Sequence, residues 1–446
     1  MQPVADVAPV PGREPAMPPG PRLPAALQTA RWAVRPLPFL QQLQRRHGDV
    51  FSIQLFHEDP WVMLSDPELV KRVLTAPADI LHAGEGNQIL EPILGPRSVL
   101  LLDEDAHLRQ RRLLLPPFHG DRMERYGEVM RAVVEDELAR WPAGVAAPAW
   151  PRMQAITLEV ILRAVFGVTE RAQLDPLRVA LREMLDFMGD NRRMVALVLA
   201  GPRRAAESRL LGFRKLMERA DELVLAQIAR HRGDDLEGRE DVLSLLLQAR
   251  HEDGTGMSDA ELRDELMTLL VAGHETTATA LGWTIERLVR HPEALERTVA
   301  EADDGGGPYT EAVIQEALRL RPVIPVVARH VKQPFELGDH LIPVGATITP
   351  SILLMHRRPD VYPDPPAFRP ERFLEQPPGT YTWIPFGGGV RRCIGASFAL
   401  FEMRVVLSTL LSRATLRADD PRRETTRRRA ITLTPSRGAR VVLAPS

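Results

Sequence analysis

From Ser258 to His291 the chain runs without a proline, although the 446-residue sequence holds 40 of them. Ser258-Asp259-Ala260-Glu261 reads as a capping box, in which serine and glutamate each satisfy a backbone N–H at a helix start. Pro292 marks the stop. Roughly thirty residues at about 1.5 Å each give a rod on the order of 45 Å, long enough to cross a large domain. Its middle, Ala272-Gly273-His274-Glu275-Thr276-Thr277, is built of small and hydroxylated residues that thin the helix and offer its backbone an alternative hydrogen bond. These residues alone are compatible with a close helix crossing or with a gap against which a ligand sits. His274 reads as a core or helix-surface residue, not a ligand.

A second segment carries chemistry. Cys393, the only cysteine, lies in the run Phe386-Gly387-Gly388-Gly389-Val390-Arg391-Arg392-Cys393-Ile394-Gly395. Nearby cations and backbone N–H groups stabilise a thiolate, and glycines let backbone approach a flat ligand closely. This setting suits one thiolate held toward an iron.

That ten-residue pattern closely resembles the cysteine-ligand loop of the cytochrome P450 family. The resemblance spans roughly residue 30 to the end and implies one large, mainly α domain with a small β region, over residues 31–446. It implies haem b as cofactor, Cys393 as the axial iron ligand, Phe386 beside the sulfur, Gly395 closing the loop, and Arg391 on a haem propionate. Glu316 and Arg319 share a helix face. With Arg372, in Phe368-Arg369-Pro370-Glu371-Arg372-Phe373, they match the family's buried ion cluster, for which a scaffolding role is expected. In that family an acid followed by threonine in the long helix delivers protons during dioxygen activation; here these are Glu275 and Thr276. His107 and Arg111, at i and i+4, match its propionate ligands, and Arg329 a further one. By family position Ile89, Leu90, Leu94, Leu269, Ala272, Val323, Val326, Val327 and Leu433 would wall a hydrophobic substrate pocket.

Charge and composition exclude other classes. A net charge of −2 argues against a nucleic-acid binder. None of the lysines Lys71, Lys215 and Lys332 follows a glycine, which rules out a P-loop, and no HExxH or paired CxxC offers zinc a site. One cysteine forms no internal disulfide, as expected of a cytoplasmic protein. Residues 1–30 are expected to form a proline-rich leader, extended or disordered, with neither signal peptide nor membrane anchor. Met194 to Ala200 is too short to span a bilayer and is a candidate substrate-entrance segment.

The coarse order is strand-rich at the start, helical from Arg122 to Arg321, and mixed afterwards. Val50 to Phe56 and Trp61 to Leu64 read as strands, and Asp66-Pro67-Glu68 opens a helix. Phe335 to Thr349 and Ile431 to Leu443 read as hairpins. The resemblance implies a monomeric monooxygenase, fitting secondary metabolism, that inserts one atom of O2 into a fatty acid, terpenoid, steroid or other hydrophobic compound. Electrons would come from NAD(P)H through a reductase and a ferredoxin, since the chain has no room for a flavin domain and no cysteines for a cluster. A haem-thiolate peroxygenase or isomerase, and a non-catalytic haem sensor, are the rival readings.

Overall fold

In the computed structural model, which describes residues 14–118, 120, 122–168, 170–189 and 212–445, the long proline-free run forms a central helix, Asp259–Leu288. The Ser258 hydroxyl accepts from the Glu261 backbone N–H, and the Glu261 carboxylate accepts from the Ser258 backbone N–H at 2.8 Å, completing the capping box. Val289 caps the other end, so the helix stops just short of Pro292. The helix Trp150–Val160 lies along it. A Cβ on Gly273 would come within 3.3 Å of Ile161 Cδ1, and one on Gly282 within 3.3 Å of Trp150 Cδ1. A larger side chain at either position would push the two helices apart. The close crossing is therefore present on this face of the helix. Around this pair pack Arg122–Leu138, Phe213–Gly233, Pro308–Leu320 and Ala396–Arg413, whose apolar faces form the main core.

In chain order the described strands are Val50–Ile53 (β1), Trp61–Leu64 (β2), Leu81–His82 (β3), Ala146–Pro148 (β4), Arg329–Val331 (β5), Phe335–Leu337 (β6), His340–Ile342 (β7), Thr347–Pro350 (β8), Ala414–Ala418 (β9), Thr426–Arg429 (β10), Thr432–Pro435 (β11) and Arg440–Pro445 (β12). The largest sheet has the order β1-β2-β8-β5-β3, with Val50 opposite Leu64 in the antiparallel β1–β2 pair. It covers a second core containing Val62, Val73 and Ile348. After β2, the Asp66 side chain accepts from the Leu69 N–H at 3.0 Å and opens the helix Pro67–Leu74 as its sequence predicts.

Several expectations need correction. The first strand ends at Ile53, before Phe56. The hairpin expected over residues 335–349 contains only β6 and β7; beyond Gly345, at φ 86°, β8 leaves it to run parallel to β2 and antiparallel to β5. All of β8 is buried, so its apolar residues are better used in a central strand than at a hairpin edge. The hairpin expected over residues 431–443 does not form either. The Glu424 carboxylate accepts from Ser436 Oγ at 2.9 Å and from the Arg437 N–H at 2.6 Å, holding the intervening turn. From it β11 pairs back with β10, while β12 pairs with β4 and β9. The leader is shorter than residues 1–30, because a helix already spans Ala25–Val34. Residues 14–24 run extended, tied to the domain by the Ala16 N–H to the Leu341 carbonyl at 3.0 Å and the Ser52 N–H to the Pro19 carbonyl at 2.9 Å. The segment Met194 to Ala200 lies outside the described residues. Among the described residues, no helix is long and apolar enough to cross a membrane.

Candidate functional site

Cys393 lies just before the helix Ala396–Arg413, at the end of a single 3-10 turn over Gly389–Arg391. The Cys393 N–H donates to the Phe386 carbonyl at 3.0 Å, which closes the loop on itself. Phe386 is held in turn by an edge-on contact with Trp383, ring centres 5.9 Å apart. The glycines do not all serve the purpose expected of them. Gly389 has φ 64°, and a Cβ there would meet the Leu74 carbonyl oxygen at 1.8 Å; one on Gly388 would meet Leu74 Cδ1 at 2.8 Å. These two let the loop pack on the end of the Pro67–Leu74 helix. Gly395 is the one that faces open space on the sulfur side.

The thiol is solvent-accessible, and desolvation by the groups around it raises its pKa. Against burial act the Gly395 backbone hydrogen bond and the Arg111 and Arg392 charges, which favour the thiolate. Beside this thiol lies an excess of positive charge. Burial depresses Arg329 to about 10, with Arg391 adding to the effect. His107 falls to about 3, through burial first and then Arg391 and Arg111. Asp103 is the carboxylate that meets this group: Arg391 Nη2 donates to Asp103 Oδ1 and to the Leu102 carbonyl, and Arg391 Nη1 to the Val99 carbonyl at 3.3 Å. Asp103 was not legible as a partner before the fold was known. Among the described residues Arg329 donates only to its neighbour's carbonyl, Ala328, at 2.8 Å. One thiolate ligand beside cations that lack enough carboxylates is a donor set that fits haem, whose iron takes the sulfur and whose two propionates supply the missing negative charge.

Glu275 and Thr276 sit in the central helix. Burial raises the pKa of Glu275, opposed by the Arg429 charge and by a hydrogen bond from Gln154. Gln154 Nε2 donates to Glu275 Oε2 at 2.9 Å, while Oε1 lies 3.3 Å from Arg429 Nε. Neither partner was legible in sequence. Thr276 Oγ1 donates to the Ala272 carbonyl at 2.5 Å. Ala272 is exposed in the middle of a helix whose next turns are buried, which marks the open side of the gap. His274 turns the other way. It is buried, with Nδ1 2.9 Å from Thr157 Oγ1, and burial pushes its pKa down to about 3, as suits a neutral core histidine.

The ion cluster assembles as its residues suggested. Arg319 is fully buried and directs every donor to an acceptor: Nε to Glu316 Oε2 at 2.6 Å, Nη2 to Glu316 Oε1 at 2.8 Å and the Ala367 carbonyl at 3.0 Å, Nη1 to the carbonyls of His356 at 2.8 Å and Pro365 at 2.9 Å. Arg372 Nε reaches Glu316 Oε1 at 3.2 Å. Sequence reasoning missed His356, whose Nε2 accepts from the Ile384 N–H at 3.0 Å, and Trp383, whose Nε1 donates to the Gln315 carbonyl at 3.1 Å. Both tie the cluster to the segment leading into the Cys393 loop.

The expected pocket residues divide. Ile89 is 65% exposed, Leu90, Leu269, Val326 and Val327 are half-buried, but Leu94, Val323 and Leu433 are buried. Leu433 belongs to the core beside Trp32, its N–H on the Val323 carbonyl at 2.8 Å and its carbonyl accepting from Trp283 Nε1 at 2.7 Å. These three are packed in the interior, away from solvent.

Comparison with known proteins agrees with this geometry. The sequence profile described as Cytochrome P450 matches residues 15–441. Cytochrome P450 135B1 of Mycobacterium tuberculosis is 41% identical over 433 residues, covering 95% of this chain and 91% of the relative. Cytochrome P450 135A1 of the same species is 39% identical, covering 96% and 95%. A solved cytochrome P450DA heme domain superposes with a TM-score of 0.82 at 25% identity, covering 97% of this chain and 99% of that one. A retinoic acid bound cyanobacterial CYP120A1 shares the fold, with a TM-score of 0.82 at 23% identity over 97% and 100% of the two chains. With its sulfur-bearing loop, its buried Glu-Arg-Arg cluster and these relatives, the chain belongs to the cytochrome P450 family of haem monooxygenases.

Proposed function

We propose that this P450 hydroxylates or epoxidises a hydrophobic small molecule in the cytoplasm, using O2 and electrons from NAD(P)H delivered by a reductase and a ferredoxin. The observation that carries the reading is the joint placement of Cys393 beside the cation group and of Glu275-Thr276 beside the exposed Ala272. Haem, when bound, supplies the oxidising chemistry, and electron donation from a thiolate favours O–O cleavage.

The protein's contribution is ligation, charge and proton supply. Cys393 ligates iron through Sγ, with the Gly395 N–H and Arg111 holding it as thiolate. Arg329, Arg391, Arg111 and His107 hold the propionates, His107 as a neutral donor. Glu275, its pKa raised by burial, holds a proton more readily than an exposed carboxyl and can pass it to an acceptor in the gap. Thr276 Oγ1 donates to the Ala272 carbonyl, so its lone pairs accept from a donor in the gap without disturbing the helix. Ile89, Leu90, Leu269, Val326 and Val327 present apolar surface that excludes water and holds substrate by burial. Glu316, Arg319 and Arg372 act on none of these groups directly and fix the loop behind them.

The experiment is a pair of measurements on wild type and Cys393→Ser. The reduced carbon monoxide spectrum of wild type should show the red-shifted Soret band of a thiolate-ligated haem, and the variant should lose it. Retention of that band by Cys393→Ser would remove Cys393 as the ligand. Product formation should require NAD(P)H, reductase and ferredoxin together; turnover driven by peroxide alone would replace this reading by the peroxygenase one.

A further inference from the structure

The central helix ends at Leu288, and the residues beyond it gather positive charge that the chain does not balance. A cavity of about 180 Å³ is lined there by Arg287, Arg290, His291, Phe368 and Arg423, with no carboxylate in its wall. Two carboxylates lie close by, and both are engaged. Glu286 takes Arg287 Nε at 2.6 Å and Arg290 Nε at 2.5 Å. Glu424 holds the Ser436-Arg437 turn. Arg290 directs its other donors to the carbonyls of Pro421 at 3.1 Å, Asp420 at 3.2 Å and Arg422 at 2.5 Å.

Arg321 and Arg423 remain. Arg321 Nε is buried without a hydrogen-bond partner, and its guanidinium lies 4.9 Å from the Trp283 ring centre. Burial and then the Arg287 charge push its pKa down to about 10, with Arg423 adding to the effect. Arg357 is pushed to about 10 as well, by burial and then by Arg321. Arg423 is exposed and hydrogen-bonds none of the described residues. A helix C-terminus favours cations and accounts for Arg287 and Arg290. It does not account for Arg321, Arg357 or Arg423, which come from other segments and raise the local charge further.

We propose that this cleft binds a phosphate group, either free phosphate or the phosphate of an ester. Guanidiniums present paired donors that match phosphate oxygens, and a doubly charged anion offsets the excess that Glu286 and Glu424 leave. The His291 ring, held by Nδ1 on the Arg287 carbonyl at 2.6 Å, packs tilted against Phe368 with ring centres 4.8 Å apart, and both rings line the cavity. The occupant would also brace the 366–368 segment, whose Ala367 carbonyl accepts from Arg319. This site lies apart from the oxygenase residues, so the inference stands whatever the oxidised substrate.

The test uses the full-length holoprotein. Its melting temperature is followed against inorganic phosphate and, separately, phenyl phosphate, with sodium chloride at matched ionic strength as reference. Binding to the folded state gives a shift that rises with concentration as a site fills, beyond the chloride reference. Arg423→Glu should melt normally in chloride, since Arg423 hydrogen-bonds none of the described residues, but should bind phosphate about tenfold or more weakly. Should Arg423→Glu fold poorly, Arg423→Gln with phosphorus NMR line broadening of phosphate gives the same comparison. Tighter binding of phenyl phosphate than of phosphate assigns the site to esters, and the reverse to the free ion. An equal shift in wild type and variant, or one that never exceeds the chloride reference, overturns the proposal.

Discussion

Thr276 commits its hydroxyl to the Ala272 carbonyl at 2.5 Å, so removing it costs the helix one side-chain hydrogen bond and the gap one acceptor. Thr276→Ala should therefore leave haem binding and substrate affinity nearly unchanged while product per NAD(P)H falls steeply. Loss of a positioned proton-transfer group costs about 10² to 10⁴ in rate, and the consumed electrons should emerge as peroxide. The ratio of product to NAD(P)H, read beside peroxide, decides; a fully coupled variant would withdraw the role. Glu402 behaves differently. It is buried in the helix after Cys393, its Oε1 lacks a hydrogen-bond partner, and burial pushes its pKa up to about 8. A carboxyl whose folded pKa exceeds its unfolded one holds its proton more tightly when folded, so its contribution to stability is complete below the unfolded pKa and lost as pH rises toward 8. Glu402→Gln, which mimics the neutral acid, should melt progressively higher than wild type as pH climbs from about 5 to about 9. A melting difference that does not change with pH would show that Glu402 has a charge partner.

At the scale of elements, the helix Pro308–Leu320 and the segment carrying Arg372 are joined by charges that have no contact with water. Glu316 and Arg319 are both 0% exposed. Removing one member of a buried pair leaves the other uncompensated, at a cost of roughly 3 to 5 kcal/mol. Glu316→Ala and Arg319→Ala should each give little folded, haem-loaded protein. Expression and haem content measure this, and near-normal haem occupancy in both variants would mean that the cluster is dispensable. The double substitution should be less damaging than the sum of the two, because it removes both charges together. The pairing of Glu316 and Arg319 was legible because i and i+3 share a helix face. The three carbonyl acceptors that complete Arg319's hydrogen bonds inside the protein were not, since they lie on segments remote in sequence.

At the scale of the whole molecule, Arg109 and Arg392 are exposed, whereas Arg112 is already paired with Glu252. If these arginines attract an acidic ferredoxin, turnover supported by that donor should fall as salt rises, because exposed charges are screened over about 10 Å at 0.1 M. Arg109→Glu should slow the first electron transfer at low salt while leaving the reduced carbon monoxide spectrum intact, and Arg392→Glu should slow it too. A rate independent of both salt and charge reversal would place the donor on another face.

What the sequence by itself determined is what short spacings can carry. The capping box at Ser258 and Glu261, the cysteine with its glycines and arginines, and the Glu-Arg face all depend on neighbours within a few residues, where helix and turn geometry leaves little choice. Tertiary structure decided the partners. Arg391 meets Asp103 across 288 positions, and Glu275 meets Gln154 across 121. Pairing also separated β7 from β8 and β11 from β12. A buried charge or a free strand edge is satisfied by whatever acceptor packing brings close, and that choice is made by the assembled fold, not by the residues alongside it in the chain.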